Sequence, residues 1–150
     1  NVKVGNEVNI ITKWQSIDYI TSQNFDRRAF DLLNCITVVP GAIGAFNKEA
    51  VISVGGFTTD TLAEDCDLTM RLHRHGYIIR NCSKAISSTE APYTFSQVIR
   101  QRFRWSFGVM YCFWNNRDTV FNQQYKILGL VAMPHSLIVQ IIFPFVAPLA

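Results

Sequence analysis

The stretch from Ile127 to Ala150 constrains this chain most, because its 24 residues include no Asp, Glu, Lys or Arg. A helix needs roughly 18–20 apolar residues to cross the hydrocarbon core of a bilayer, so the run predicts a transmembrane segment over 127–150. Pro134, His135, Ser136, Gln140, Pro144 and Pro148 interrupt it. They leave two other readings open: a buried core helix, or a kinked or re-entrant segment whose freed backbone groups are satisfied by protein. Arg100, Arg102, Arg104, Arg117 and Lys126 precede the run and nothing basic follows it, which places its start on the cytoplasmic side of a cell membrane. Contact of that cluster with anionic membrane lipid also accounts for the net charge of +3, so no nucleic-acid partner is expected.

Outside the run the chain reads as an ordinary folded domain. Its 17% of charged residues falls below the roughly 25% of soluble domains mainly because of the uncharged stretch. With 150 residues it is long enough to hide roughly 68–70% of its unfolded surface. It opens on Asn1 and closes on Pro148-Leu149-Ala150, and both ends read as cuts through a longer protein. Cys35, Cys66, Cys82 and Cys112 are widely spaced with no CxxC pair, so they are expected to be reduced thiols and neither a zinc site nor a redox motif.

The order of elements favours an α/β architecture. Val2 and Val4 suit a short strand, and residues 13–33, free of Gly and Pro, suit an amphipathic helix. The β-branched run 35–39 predicts a strand ended by Pro40-Gly41, and residues 77–79 and 85–86 predict two more. Asn47 caps a helix running to Val54, stopped by Gly55-Gly56, and a further helix spans 63–75 with acids in its first turn and bases in its last. The most regular pattern covers 94–115, where Phe95, Val98, Ile99, Phe103, Phe107, Met110 and Trp114 form an apolar stripe. At about 100° per residue, Gln101, Arg104 and Trp105 project roughly 170° away from it, so one face is expected to pack or meet lipid and the other to be free for chemistry.

Two constellations carry candidate chemistry. Glu64-Asp65-Cys66-Asp67 opens a helix, where acids complement the dipole; alternatively one of them is a positioned carboxylate that takes the proton of a reacting hydroxyl. Gln101, Arg104 and Trp105 stand at i, i+3 and i+4 and present an amide, a fixed cation and an aromatic plate together. Such residues often serve as interfacial anchors, but they also fit a charged, sugar-bearing ligand: guanidinium forks pair with phosphate oxygens and an indole face covers a sugar ring. His73 and His75 are too close for the i, i+4 metal arrangement and read as surface or dipole-pairing groups. His135 reads either as a functional intramembrane group or as a helix-packing one.

An acidic Glu64-Asp65 motif followed by Gln101-x-x-Arg104-Trp105, an interface helix and an apolar span resembles the processive family 2 glycosyltransferases, among them the cellulose, hyaluronan and poly-N-acetylglucosamine synthases. The strings at 1–6, 40–46, 55–57, 64–69 and 89–92 look most like the poly-N-acetylglucosamine branch. The resemblance implies the C-terminal part of a GT-A (nucleotide-diphospho-sugar transferase) α/β domain over 1–93, an amphipathic interface helix with its connection over 94–126, and a truncated transmembrane segment over 127–150. It implies that Asp65 is the general base of a TED-like motif, with Ala63 where the family commonly has Thr. Arg104 would contact the nucleotide diphosphate, Trp105 would lie beneath the acceptor sugar, Gln101 completes the motif, and Glu64, Gly41 and Ala42 would border the acceptor.

The implied reaction is an inverting, processive transfer of N-acetylglucosamine from a UDP-sugar donor to a polysaccharide acceptor, on the cytoplasmic face of the cell membrane. Mg²⁺ or Mn²⁺ would be held by a DxD motif upstream of these residues, so no metal ligands are expected within the chain, and the chain alone is expected to be inactive. Two other readings stay open: a non-processive family 2 transferase acting on a lipid or protein, and a membrane-anchored binding or scaffold protein without catalysis.

Overall fold

The computed structural model describes residues 1–142. Strand β1 (Val2–Val4) leads to helix α1 (Ile10–Asp18), which continues through a π-helical turn (Tyr19–Phe25) into α2 (Asp26–Leu32). This unbroken helical run matches the expected helix but starts three residues earlier, at a reciprocal cap in which Asn9 and Thr12 each satisfy the other's backbone N–H. Helix α3 (Lys48–Ser53) starts on the Asn47 side chain as expected. It stops at Gly55 and Gly56, whose φ of +88° and +75° lie in the left-handed region that favours glycine. Helix α4 (Glu64–Arg74), strand β2 (Ser87–Thr89) and helix α5 (Phe95–Asn115) follow. Two short 3₁₀ turns then lead to a helical stretch of a π segment (Leu128–Ala132), α6 (Met133–Ser136) and a second π segment (Leu137–Ile142).

The strand content is smaller than expected. Strands β1 and β2 pair in parallel, Val2 opposite Ser87 and Val4 opposite Thr89, and form the one sheet among the described residues. The expected strand over 35–39 joins no ladder among the described residues: the Val39 N–H donates to Thr69 Oγ1 at 3.0 Å, a side chain of α4, and so cannot serve a neighbouring strand. Residues 77–79 are likewise held by a side chain, with the Ile79 N–H on Asn34 Oδ1 at 3.0 Å. The third expected strand, 85–86, forms two residues later as β2.

Helix α4 is the hub, because it divides the core into two clusters. Cys66 and Met70 pack with Cys35, Ala63, Cys112, Leu128, Ala132 and Met133, while Leu68 and Leu72 pack with Ile36, Ala50, Val54 and Ile79. Phe30 touches both clusters and ties α2 to the hub. Arg71 spans from α4 to the end of α3, where it donates to the Val54 carbonyl and, at 2.7 Å, to the Gly56 carbonyl, filling acceptors that the helix end leaves open.

Both apolar segments turn part of their surface outward. The stripe on α5 faces outward, with Phe103 70% and Trp114 65% exposed, and it is the opposite face, at Gly108 and Cys112, that packs on the protein. The helical stretch after 127 buries Leu128, Ala132, Met133 and Ser136 against the core while Leu130, Val131, Ile138 and Val139 stay exposed. Among the described residues no helix is long and apolar enough to cross a membrane. Residues 143–150 of the predicted segment lie outside the described residues.

Candidate active site

The acidic motif sits where α4 begins. Ala63 caps the helix without a side-chain hydrogen bond, so the first-turn N–H groups face Glu64 and Asp65 and the helix dipole favours their negative charge. Asp65 is half-buried and both its oxygens are engaged: Oδ1 accepts from the Cys66 N–H at 2.8 Å and Oδ2 from the Gly41 N–H at 3.1 Å. A methyl group at Gly41 would lie 3.9 Å from both Asp65 Oδ2 and Glu64 Oε1, which puts Gly41 and the two carboxylates at one spot. Ala42 follows in the same exposed turn, closed by the Ile43 N–H on the Pro40 carbonyl. Thr69, fully buried, locks the arrangement by donating to the Asp65 carbonyl at 2.6 Å while accepting from Val39.

The pattern of residue types did not point to Arg27. This side chain lies largely buried on α2 and has no hydrogen bond or ion pair among the described residues. Burial pulls its pKa down to about 10, and the nearby Asp65 carboxylate partly offsets the shift. Phe30, one turn further along α2, packs into the cluster that holds Ala63 and Cys66, so this face of α2 is turned to the start of α4.

Asp67, by contrast, is structural. Its Oδ2 accepts from Thr58 Oγ1 at 3.0 Å and pairs with Arg71 at 2.8 Å. The two carboxylates of Asp65-Cys66-Asp67 therefore serve different partners, and among the described residues no group of three His, Cys, Asp or Glu side chains converges to hold a cation. These residues do not fit a divalent metal ion.

Helix α5 brings the second constellation to the same end of α4. Gly108 lies so close to Ala63 that an added methyl would stand 2.5 Å from the Ala63 Cβ, and Cys112 Sγ contacts the Ala63 carbonyl at 3.6 Å. Trp105 is three residues before Gly108, about 4.5 Å along the helix axis, and so lies close to that crossing. The trio is divided. Gln101 and Trp105 are half-buried and turned toward α1, whereas Arg104 is exposed with no hydrogen bond or ion pair among the described residues. The Trp105 ring stacks against Tyr19 with centroids 6.4 Å apart, and the Arg102 guanidinium lies 5.0 Å from its centre. Burial raises the Tyr19 pKa, with Gln101 beside the hydroxyl as an opposing influence.

Residues 1–150 match the sequence profile of glycosyl transferase family group 2. The chain belongs to that family. This family 2 chain is 31% identical over 108 residues to the poly-beta-1,6-N-acetyl-D-glucosamine synthase of Staphylococcus aureus (strain COL), covering 72% of the chain and 26% of the relative. It is 30% identical, over the same length and shares, to the synthase of that name from Staphylococcus epidermidis (strain ATCC 35984). It thus spans about a quarter of the length of the curated relatives it matches. No solved structure matches it. For a family 2 glycosyl transferase, the geometry offers a fixed carboxylate, an exposed cation unpaired among the described residues, and an aromatic plate near one end of α4.

Proposed function

We propose that this chain is the acceptor-side part of an inverting, processive glycosyltransferase with a GT-A catalytic domain, which moves N-acetylglucosamine from a UDP-sugar to the end of a growing polysaccharide. The choice of sugar rests on the likeness to synthases of poly-beta-1,6-N-acetyl-D-glucosamine. The observation that carries the reading is Asp65, a carboxylate held by the Gly41 N–H beside the crossing with the helix that bears Gln101, Arg104 and Trp105.

Asp65 takes the proton of the acceptor hydroxyl as that oxygen bonds to the anomeric carbon. The bond from that carbon to the diphosphate breaks on the opposite side, and its electron pair leaves with UDP. Arg104 pairs with the departing diphosphate, where stabilising developing charge is worth most. Trp105, with Gln101 beside it, carries the acceptor sugar and keeps its hydroxyl in line. Glu64, Gly41 and Ala42 border the acceptor, and the glycine lets the sugar approach the backbone closely. The divalent cation implied by the family would be held by residues other than these.

Membrane lipid is the proposed environment of the exposed apolar side chains on α5, Phe95, Ile99, Phe103 and Phe107, and of the outward side of the segment from 127 on, at Leu130, Val131, Ile138 and Val139, with the catalytic side toward the cytoplasm. The reading divides the chain at 93 and 126, into catalytic, interface and membrane parts.

In the full-length enzyme, Asp65→Asn should abolish polymer synthesis while UDP-sugar affinity stays within about twofold of wild type. Continued polymer synthesis by this variant would remove Asp65 as the base. Arg104→Ala should weaken UDP binding by about tenfold or more, as expected for loss of a charged hydrogen bond, and unchanged affinity would remove its diphosphate role.

A further inference from the structure

Helices α1 and α5 run in the same direction and are joined by side chains that reach from one to the other. Successive links join residues that rise together along both chains. Asn6 exchanges two hydrogen bonds with the Ala91 backbone, at 2.7 and 2.8 Å, and Asn9 Nδ2 donates to the Tyr93 carbonyl at 2.7 Å. Further along, Arg102 donates to Gln15 Oε1 at 3.0 Å and to Asp18 Oδ2 at 2.5 Å, and Tyr19 then stacks on Trp105. The links begin just before α5 and end on the motif.

The chemistry of the last three links is selective. Gln15 is 4% exposed and Tyr19 5%, so their contacts are made away from solvent, where polar groups must be matched, while the Arg102–Asp18 pair stays partly open at 42% and 36%. Arg102 is gripped from one side by a carboxylate and an amide oxygen while its guanidinium lies against the Trp105 ring, an arrangement that fixes both groups. A buried donor, Gln15 Nε2, and a buried acceptor, Gln101 Oε1, both lack partners among the described residues, one on each of the two helices. The helix also changes pitch here: α1 gives way to π geometry at Tyr19, a change common at functional positions because it shifts the direction of the side chains that follow.

We infer that Asp18 and Tyr19, with Gln15, are positioning residues for Trp105: α1 acts as a splint that holds Arg102, and through Arg102 and Tyr19 the indole plate, in the orientation that receives the acceptor sugar. The inference rests on the reading of Trp105 as the acceptor plate. It assigns a function to the chain's first helix, which carries none of the chemistry of transfer. None of the three groups touches the reacting atoms; each acts by restricting the rotamers of a ring that does.

The test uses full-length enzyme in its membrane, a short oligosaccharide acceptor and separate measurement of KM for acceptor and for UDP-sugar. Tyr19→Leu and Asp18→Asn should each raise the acceptor KM by about threefold to tenfold, the loss expected for one stacked or ion-pair contact, and leave the UDP-sugar KM unchanged. Tyr19→Phe, which keeps the ring, should restore the acceptor KM to wild type. A loss of folded protein would lower the apparent kcat and leave both KM values where they were, an outcome that overturns the splint. Trp105→Ala is the control that separates the two ideas. If it raises the acceptor KM while Tyr19→Leu and Asp18→Asn do not, the splint is overturned and the plate stands. If Trp105→Ala itself leaves the acceptor KM unchanged, the plate falls and the splint with it.

Discussion

Arg27 carries a cost in the fold that a neutral side chain would not. A largely buried guanidinium with no hydrogen-bond or ion-pair partner among the described residues loses hydration without replacing it, which is why burial lowers its pKa to about 10. The charged guanidinium is thus less favourable in the fold than in the unfolded chain. Arg27→Met should therefore stabilise the protein by about 1–2 kcal/mol, seen as a higher thermal unfolding midpoint. The same change should slow sugar transfer by about tenfold or more, because the cation near the Asp65 carboxylate is lost. A variant that is both more stable and fully active would remove Arg27 from the site. The sequence alone does not single out this residue: Arg27 and Arg28 look alike on a helix with irregular spacing, and which of them turns inward depends on α2 meeting α4. The Glu64-Asp65 pair stood out because acids at a helix start either complement the dipole or act as a positioned carboxylate, and only the resemblance to family 2 transferases chose Asp65 as the base. Its partner, the Gly41 N–H, is a backbone group and leaves no trace in side-chain pattern.

Helix α4 gathers its neighbours through side chains that reach to their backbones. His73 extends from its last turn to the Ile36 carbonyl, 2.8 Å from Nε2, so that nitrogen carries the hydrogen and donates. Burial holds the His73 pKa below its ordinary value, with the carbonyl contact opposing the shift, so the folded form keeps the ring neutral. As pH falls through and below the ordinary histidine range, the unfolded chain takes up a proton that the folded chain refuses, and stability drops until the folded pKa is passed. The unfolding midpoint should therefore decline through that window, and His73→Gln, which keeps a donor for Ile36 but cannot titrate, should flatten the decline; an unchanged slope would place the titrating group elsewhere. Helices were the most legible elements because their signals are local: Asn47 caps α3, Gly55-Gly56 ends it, and the acid-to-base order marks α4. Strands were not, since β-branched residues such as Val38 and Val39 report an extended, half-buried segment, whereas a ladder needs a neighbour that the local sequence cannot reveal. The parallel pairing of α1 and α5 was hidden for the same reason. Asn6, Asn9 and Asp18 have meaning only opposite Ala91, Tyr93 and Arg102.

Across the whole molecule, the apolar stripe of α5 was correctly read as a stripe, and its direction was the open question. Periodicity establishes that a helix has two faces but leaves undecided which of them meets the protein. The deciding residue is Gly108, a gap in an otherwise bulky helix, and Ala63 fills it. Only one methyl group fits between these helices. A second, introduced by Gly108→Ala, should cost about 1–3 kcal/mol and reduce transfer as the indole plate is carried away from Asp65. Adding Ala63→Gly removes the 2.5 Å clash and leaves contacts of 3.2 and 3.4 Å with the Ala63 N and Cα positions, which small shifts absorb. The double variant should recover most of the stability and activity, a coupling that a double-mutant cycle measures directly; two additive losses would show that the helices do not share the gap. The methyl group can thus be exchanged from one helix to the other, so what the protein must preserve at this seam is the combined bulk of positions 63 and 108, and drift at either is free only when the other answers it.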